Sequence, residues 1–173
     1  LLQAVRACPA VRAVLNVTSD KCYAHVDGQQ RDFVESDALG GHDPYSSSKA
    51  CTEIVTAAWR SSFLAAAGVG IASARAGNVI GGGDWASDRL LPDFFRAADA
   101  GSALEVRHPE ATRPWQHVLE PLGGYLLLGQ RLAQHGESFA GAWNFGPAAG
   151  DARPVRWIVD RLAAQVPGAR WRT

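Results

Sequence analysis

Residues 43–53 read D-P-Y-S-S-S-K-A-C-T-E, and this stretch predicts a helix that starts at Pro44 and runs on to about Ala67. A proline presets a helical φ and lacks an N–H that a first helical turn leaves unbonded anyway. Tyr45 and Lys49 are four residues apart, so they stand one turn above each other on a common face. A free phenol, with a pKa near ~10, is a poor base at neutral pH, and an ammonium held close favours the phenolate. Tyr-x-x-x-Lys is therefore a proton-transfer pair suited to oxidising an alcohol. Read alone, the same spacing also describes a solvated helix face.

The surrounding chain sharpens that choice. Upstream, Val11 to Thr18 (V-R-A-V-L-N-V-T) is apolar and β-branched, as a buried parallel strand is. It runs into Ser19-Asp20-Lys21, polar groups at the carboxyl edge of a strand, where open α/β sheets bind ligands. A plain capped turn is the alternative there. From Cys22 to Asp43 the chain is polar and glycine-rich, a long loop that delivers it from the strand end to the Tyr45 helix. Residues 1–8 read as the last turns of a helix ahead of Pro9.

Downstream, Val69 to Ala76 reads as a second buried strand, followed by G-N-V-I-G-G-G-D-W at 77–85. Three consecutive glycines allow close backbone approach to a ligand, and Asn78 offers both a donor and an acceptor. Asp88 to Ala100 predicts a helix, Leu104 to Arg107 a short strand, and Leu119 to Gln134 a helix that packs on a sheet. Arg113 carries a guanidinium suited to phosphate, or to a surface ion pair. His117 reads first as a hydrogen-bonded structural histidine. Ala142 to Phe145 is expected as a strand and Val155 to Val166 as a last amphipathic helix.

Composition narrows the field further. Lys plus Arg and Asp plus Glu balance at 17 each, so no net field recruits nucleic acid or an anionic membrane. No apolar run approaches the roughly 18 residues of a membrane span. Three cysteines without metal-like spacing predict reduced thiols in a cytoplasm and no metal site. The chain has no Met and opens on Leu1, which reads as an internal fragment. No G-x-G-x-x-G follows a first strand.

Five segments, in order, resemble the extended short-chain dehydrogenase/reductase superfamily and, within it, the CDP-glucose 4,6-dehydratase branch. They are V-T-S-D-K-C-Y at 17–23, D-P-Y-S-S-S-K at 43–49, A-R-A-G-N-V-I-G-G-G-D-W at 74–85, R-P-W-Q-H-V-L-E-P-L at 113–122 and W-N-F-G-P at 143–147. The branch rests on Lys21, because related dTDP-glucose and GDP-mannose enzymes carry an Asp-Glu pair where this chain has Asp20-Lys21.

The resemblance implies an α/β fold, the C-terminal part of a Rossmann-like doubly wound parallel sheet with a small substrate-binding lobe. It assigns residues 1–80 to the second half of an NAD-binding domain, and 81–173 to substrate-binding segments mixed with remaining Rossmann elements. It implies conversion of CDP-glucose to a 4-keto-6-deoxy sugar with NAD recycled, and a homodimer in the full-length protein. Tyr45 is then the base for the C4 hydroxyl, Lys49 its activator and a ribose contact, and Ser19 the group that orients the C4 oxygen. Ala76 lines the cofactor. Asp20 is the acid for the leaving C6 hydroxyl, which needs burial to stay protonated near neutral pH. Lys21 is the C5 base, or an electrostatic clamp on the enolate. Asn78, Arg89, Arg113 and Asn144 contact the substrate. A different nucleotide-sugar dehydratase, a 4-epimerase or a non-catalytic remnant remain the alternatives.

Overall fold

The computed structural model describes residues 1–25, 31–148 and 150–173, so part of the expected long loop lies outside the described residues. Along the chain come α1 (Leu2–Arg6), β1 (Ala13–Val17), α2 (Pro44–Trp59), β2 (Gly70–Ala76) and β3 (Val79–Ile80). Next are α3 (Leu90–Asp99), β4 (Ala103–Glu105), β5 (Thr112–Arg113), β6 (Gln116–His117) and α4 (Leu119–His135). The chain closes with β7 (Gly141–Phe145), β8 (Arg153–Pro154), α5 (Val155–Gln165) and β9 (Arg170–Arg172).

Two compact units share these elements, the first made of Leu1–Gly77 with Leu119–Phe145 and the second of Asn78–Val118 with Gly146–Thr173. The first unit is built on a parallel sheet in the order β1-β2-β7. Its register sets Ala13 beside Gly70 and Val17 beside Ala74, then Ala72 beside Gly141 and Ala76 beside Phe145. Strand alternation sorts the side chains onto two covered faces. Val14 and Ile71 pack with Val5, Trp59, Leu64 and Val69 on the side of α1 and α2. Leu15 and Ala72 pack with Leu128, Leu132 and Phe139 on the α4 side. Helices on both faces of a parallel sheet make this the expected doubly wound α/β arrangement.

α2 begins where the sequence predicts, with Asp43 as its cap. The Asp43 carboxylate accepts hydrogen bonds from the N–H groups of Tyr45 (2.9 Å) and Ser46 (3.0 Å), and Pro44 fills the first turn. Gly41 is needed there, because a Cβ on it would run into the Ser46 side chain. After Trp59 the helix loosens into a single π turn over Arg60–Leu64. Gly68 then takes a φ of 70° and turns the chain back into the sheet at β2.

The second unit packs α3 and α5 around Phe94, Leu104, Val106 and Val159. Its strands pair two by two: β3 with β6 and β4 with β9 in parallel, β5 with β8 antiparallel. Arg113 stands directly opposite Arg153 in the last of these ladders.

Candidate active site

Two groups of predicted site residues ride on elements that pack against each other at the carboxyl end of β1. The first rides on α2. Lys49 lies over the Tyr45 ring at 5.6 Å from its centroid, as the four-residue spacing requires. Tyr45 is 54% exposed, so its hydroxyl is open to a ligand. Among the described residues no carboxylate forms an ion pair with Lys49.

The second group follows β1 in a single 3₁₀ turn, Asp20–Cys22, capped by Ser19. The buried Ser19 Oγ accepts from the Lys21 N–H (3.2 Å) and donates to Asp20 Oδ1 (3.1 Å). Lys21 Nζ lies 3.9 Å from Asp20 Oδ2, with the two side chains 43% and 33% exposed. The described residues therefore leave Asp20 partly exposed. α2 packs against this turn, so both groups share one edge of the sheet. Ala76 ends β2 at the same edge.

Beneath them lies a buried polar network that the motifs did not single out. Glu53, one turn beyond Lys49 on α2, pairs with Arg75 of β2 at 2.8 Å, with side chains only 2% and 4% exposed. Glu53 also accepts from Ser73 Oγ at 2.6 Å and from Thr18 Oγ1. Arg75 Nη1 donates to the Tyr23 hydroxyl (2.8 Å) and the Glu35 carbonyl (3.1 Å). Burial alone would raise the Glu53 carboxyl, but bonds from Arg75, Ser73 and Thr18 hold it below the ordinary value. Burial outweighs the Arg75 contact at Tyr23, whose phenol is raised, and pushes the Cys22 thiol up to about 11. A charged residue inside the apolar run V-G-I-A-S-A-R-A was the available signal, since a buried arginine needs a partner.

Asn144, expected at the substrate, takes part in this network. Its Oδ1 accepts from the Tyr23 hydroxyl at 2.6 Å, its Nδ2 donates to the Phe33 carbonyl at 3.1 Å, and its backbone N–H donates to Glu35 (2.8 Å). With its amide committed on both sides, the side chain is a structural link between β7 and the loop after β1.

In the second unit a cavity of about 480 Å³ is lined by Asn78, Gly81, Gly82, Gly83, Arg89 and the exposed Trp85, among others. Arg96 pins the loop beneath it by donating to the carbonyls of Trp85 and Ala86, each at 3.0 Å. Arg113 is exposed and lies outside the cavity lining, donating to the Thr112 carbonyl. His117 is exposed in β6. Among the described residues no cluster of His, Cys, Asp or Glu could hold a metal ion, and no helix is long and apolar enough to cross a membrane.

Comparison with known proteins adds four findings. Residues 1–144 match the family model described as "NAD dependent epimerase/dehydratase family". A CDP-glucose 4,6-dehydratase of Salmonella typhimurium strain LT2 is 49% identical over 171 residues, covering 94% of this chain and 46% of that protein. Among solved structures, a dTDP-glucose 4,6-dehydratase from Bacillus anthracis in complex with NAD is similar at a TM-score of 0.72 and 21% identity, covering 94% of this chain and 48% of that one. A UDP-N-acetylglucosamine 4-epimerase from Methanobrevibacter ruminantium is similar at 0.74 and 20% identity, over 99% and 54%. At these identities the structural likenesses speak to the fold. The chain spans about half the length of these relatives.

Proposed function

The chain belongs to the NAD dependent epimerase/dehydratase family, and we propose that it carries the catalytic residues of a CDP-glucose 4,6-dehydratase. The observation that supports this reading is the Asp20-Lys21 pair, set beside Ser19 on a turn against which the Tyr45–Lys49 helix packs. A 4-epimerase needs the serine, tyrosine and lysine but has no step for an acid and a second cation. The Salmonella relative points to the same branch.

Tyr45, Lys49 and Ala76 fit the nicotinamide end of NAD: an exposed phenol, an ammonium without a carboxylate partner among the described residues, and a small side chain at the strand end. Held by these residues, NAD would supply the hydride acceptor for C4 of the sugar and the hydride donor for C6. Tyr45 Oη, as the phenolate with the Lys49 ammonium beside it, takes the C4 hydroxyl proton and becomes the phenol, and Ser19 Oγ orients the C4 oxygen. By the family resemblance, Asn78, Arg89 and Arg113 are the groups proposed to contact the substrate.

Elimination of water asks for a base to take the C5 proton, a stabilised enolate of the C4 ketone and a proton at the leaving C6 oxygen. Lys21 takes the C5 proton as a base or holds the enolate oxygen as an electrostatic clamp. Asp20 delivers a proton to the leaving C6 hydroxyl, so that the C5 proton lost and the C6 hydroxyl lost sum to one water.

Single-turnover kinetics of the protein at its full encoded length test this reading. Lys21→Ala should oxidise C4 and accumulate NADH but stall before water is lost, whereas Tyr45→Phe should form no NADH. Dehydration by Lys21→Ala at the wild-type rate would contradict it.

A further inference from the structure

We propose that the buried Glu53–Arg75 pair is a positioning device that braces the Ser19–Cys22 turn at both ends against the helix carrying Tyr45 and Lys49. The inference rests on the reading of those two groups as catalytic. The bracing is visible in the bonds. Thr18, the residue before the turn, donates to Glu53 Oε1, and Tyr23, the residue after it, accepts from Arg75 Nη1 at 2.8 Å. Glu53 and Arg75 are themselves joined at 2.8 Å, so one ion pair grips both flanks. Ser73 Oγ and Asn144 Oδ1 extend the grip to β2 and β7, and the Tyr23 ring stacks on Phe33 with centroids 4.6 Å apart.

Lys49 and Glu53 are one turn apart on a continuous helix, so fixing Glu53 fixes Lys49 and Tyr45 in the same frame. The turn itself has little regular structure to hold it. Its backbone is tied by the Cys22 N–H to the Ser19 carbonyl (3.2 Å) and the Gly40 N–H to the Cys22 carbonyl (2.9 Å). Reacting groups carried on two separate elements need a common anchor, because a misplacement of about 1 Å costs on the order of a hundredfold in rate. Glu53, Arg75 and Tyr23 are positioning residues in this scheme and touch no substrate.

Two variants of the protein, expressed at its full encoded length and loaded with NAD, test the brace. Tyr23→Phe keeps the ring stack and removes only the hydroxyl, and Glu53→Gln keeps the shape and removes the charge. Both should lower kcat about ten- to a hundredfold per NAD-loaded site while KM for CDP-glucose stays unchanged. Amide exchange of Lys21, Cys22 and Tyr23 should quicken in both. Wild-type kcat per loaded site, or unchanged exchange across the turn, would overturn the proposal, since a merely structural pair would lower the yield of folded protein and leave the turnover of each site intact. Should the wild-type protein not dehydrate CDP-glucose, the proposed function falls, and the exchange rates alone decide whether the brace exists.

Discussion

At the scale of single residues, chemistry that reaches outward was more legible than chemistry that stays inside. Tyr45, Lys49, Ser19, Asp20 and Lys21 stood out by type and spacing, and the structure brings their elements to one sheet edge. Glu53 and Arg75 were in plain view in the quoted segments, but a pair separated by 22 positions has no local signature. Only folding shows that they meet. Asn144 illustrates the converse: a polar residue at a strand end suggests a ligand contact, yet its amide is used by Tyr23 and Phe33. Asn144→Ala should therefore lower stability by about 1–3 kcal/mol, the penalty for leaving buried partners unpaired. Denaturant unfolding measures that loss, and KM for the nucleotide sugar should not change.

At the scale of elements, length decided what could be read. β1, β2 and β7 are runs of five to seven mostly apolar residues and were anticipated to within two residues of their ends. β5, β6, β8 and β9 have two or three residues each, too few for any period to register, and exist through their pairings. α2 gives the element-scale prediction. Hydrogen bonds from the Ser46 side chain and from the Ser46 and Tyr45 N–H groups lower the Asp43 carboxyl, as the buried network lowers that of Glu53. Both carboxyls thus release their protons at lower pH in the folded chain than in the unfolded one. The stability they contribute is complete above the unfolded value of about 4 and is lost as pH falls through the folded values. Thermal midpoints should drop as pH is lowered through this window, and the drop should be smaller in Asp43→Asn. An equal drop in both proteins would show that the cap does not report the titration.

For the whole molecule, the residues proposed as catalytic lie in the first unit, and the second unit has a glycine-lined cavity of its own. The 173 residues contain no glycine-rich dinucleotide turn after a first strand, and the residues proposed to contact NAD, Tyr45, Lys49 and Ala76, would meet its nicotinamide end. Titration calorimetry should accordingly give much weaker NAD binding for this chain than for the protein at its full encoded length, and equal affinities would contradict that division. The most direct measurement of the central claim is the identity of the product that the full-length protein forms from CDP-glucose in the presence of NAD, read by mass spectrometry. The predicted result is loss of one water to give a 4-keto-6-deoxy sugar nucleotide, absent in Tyr45→Phe. A product of unchanged mass with C4 inverted would contradict it and make the protein an epimerase.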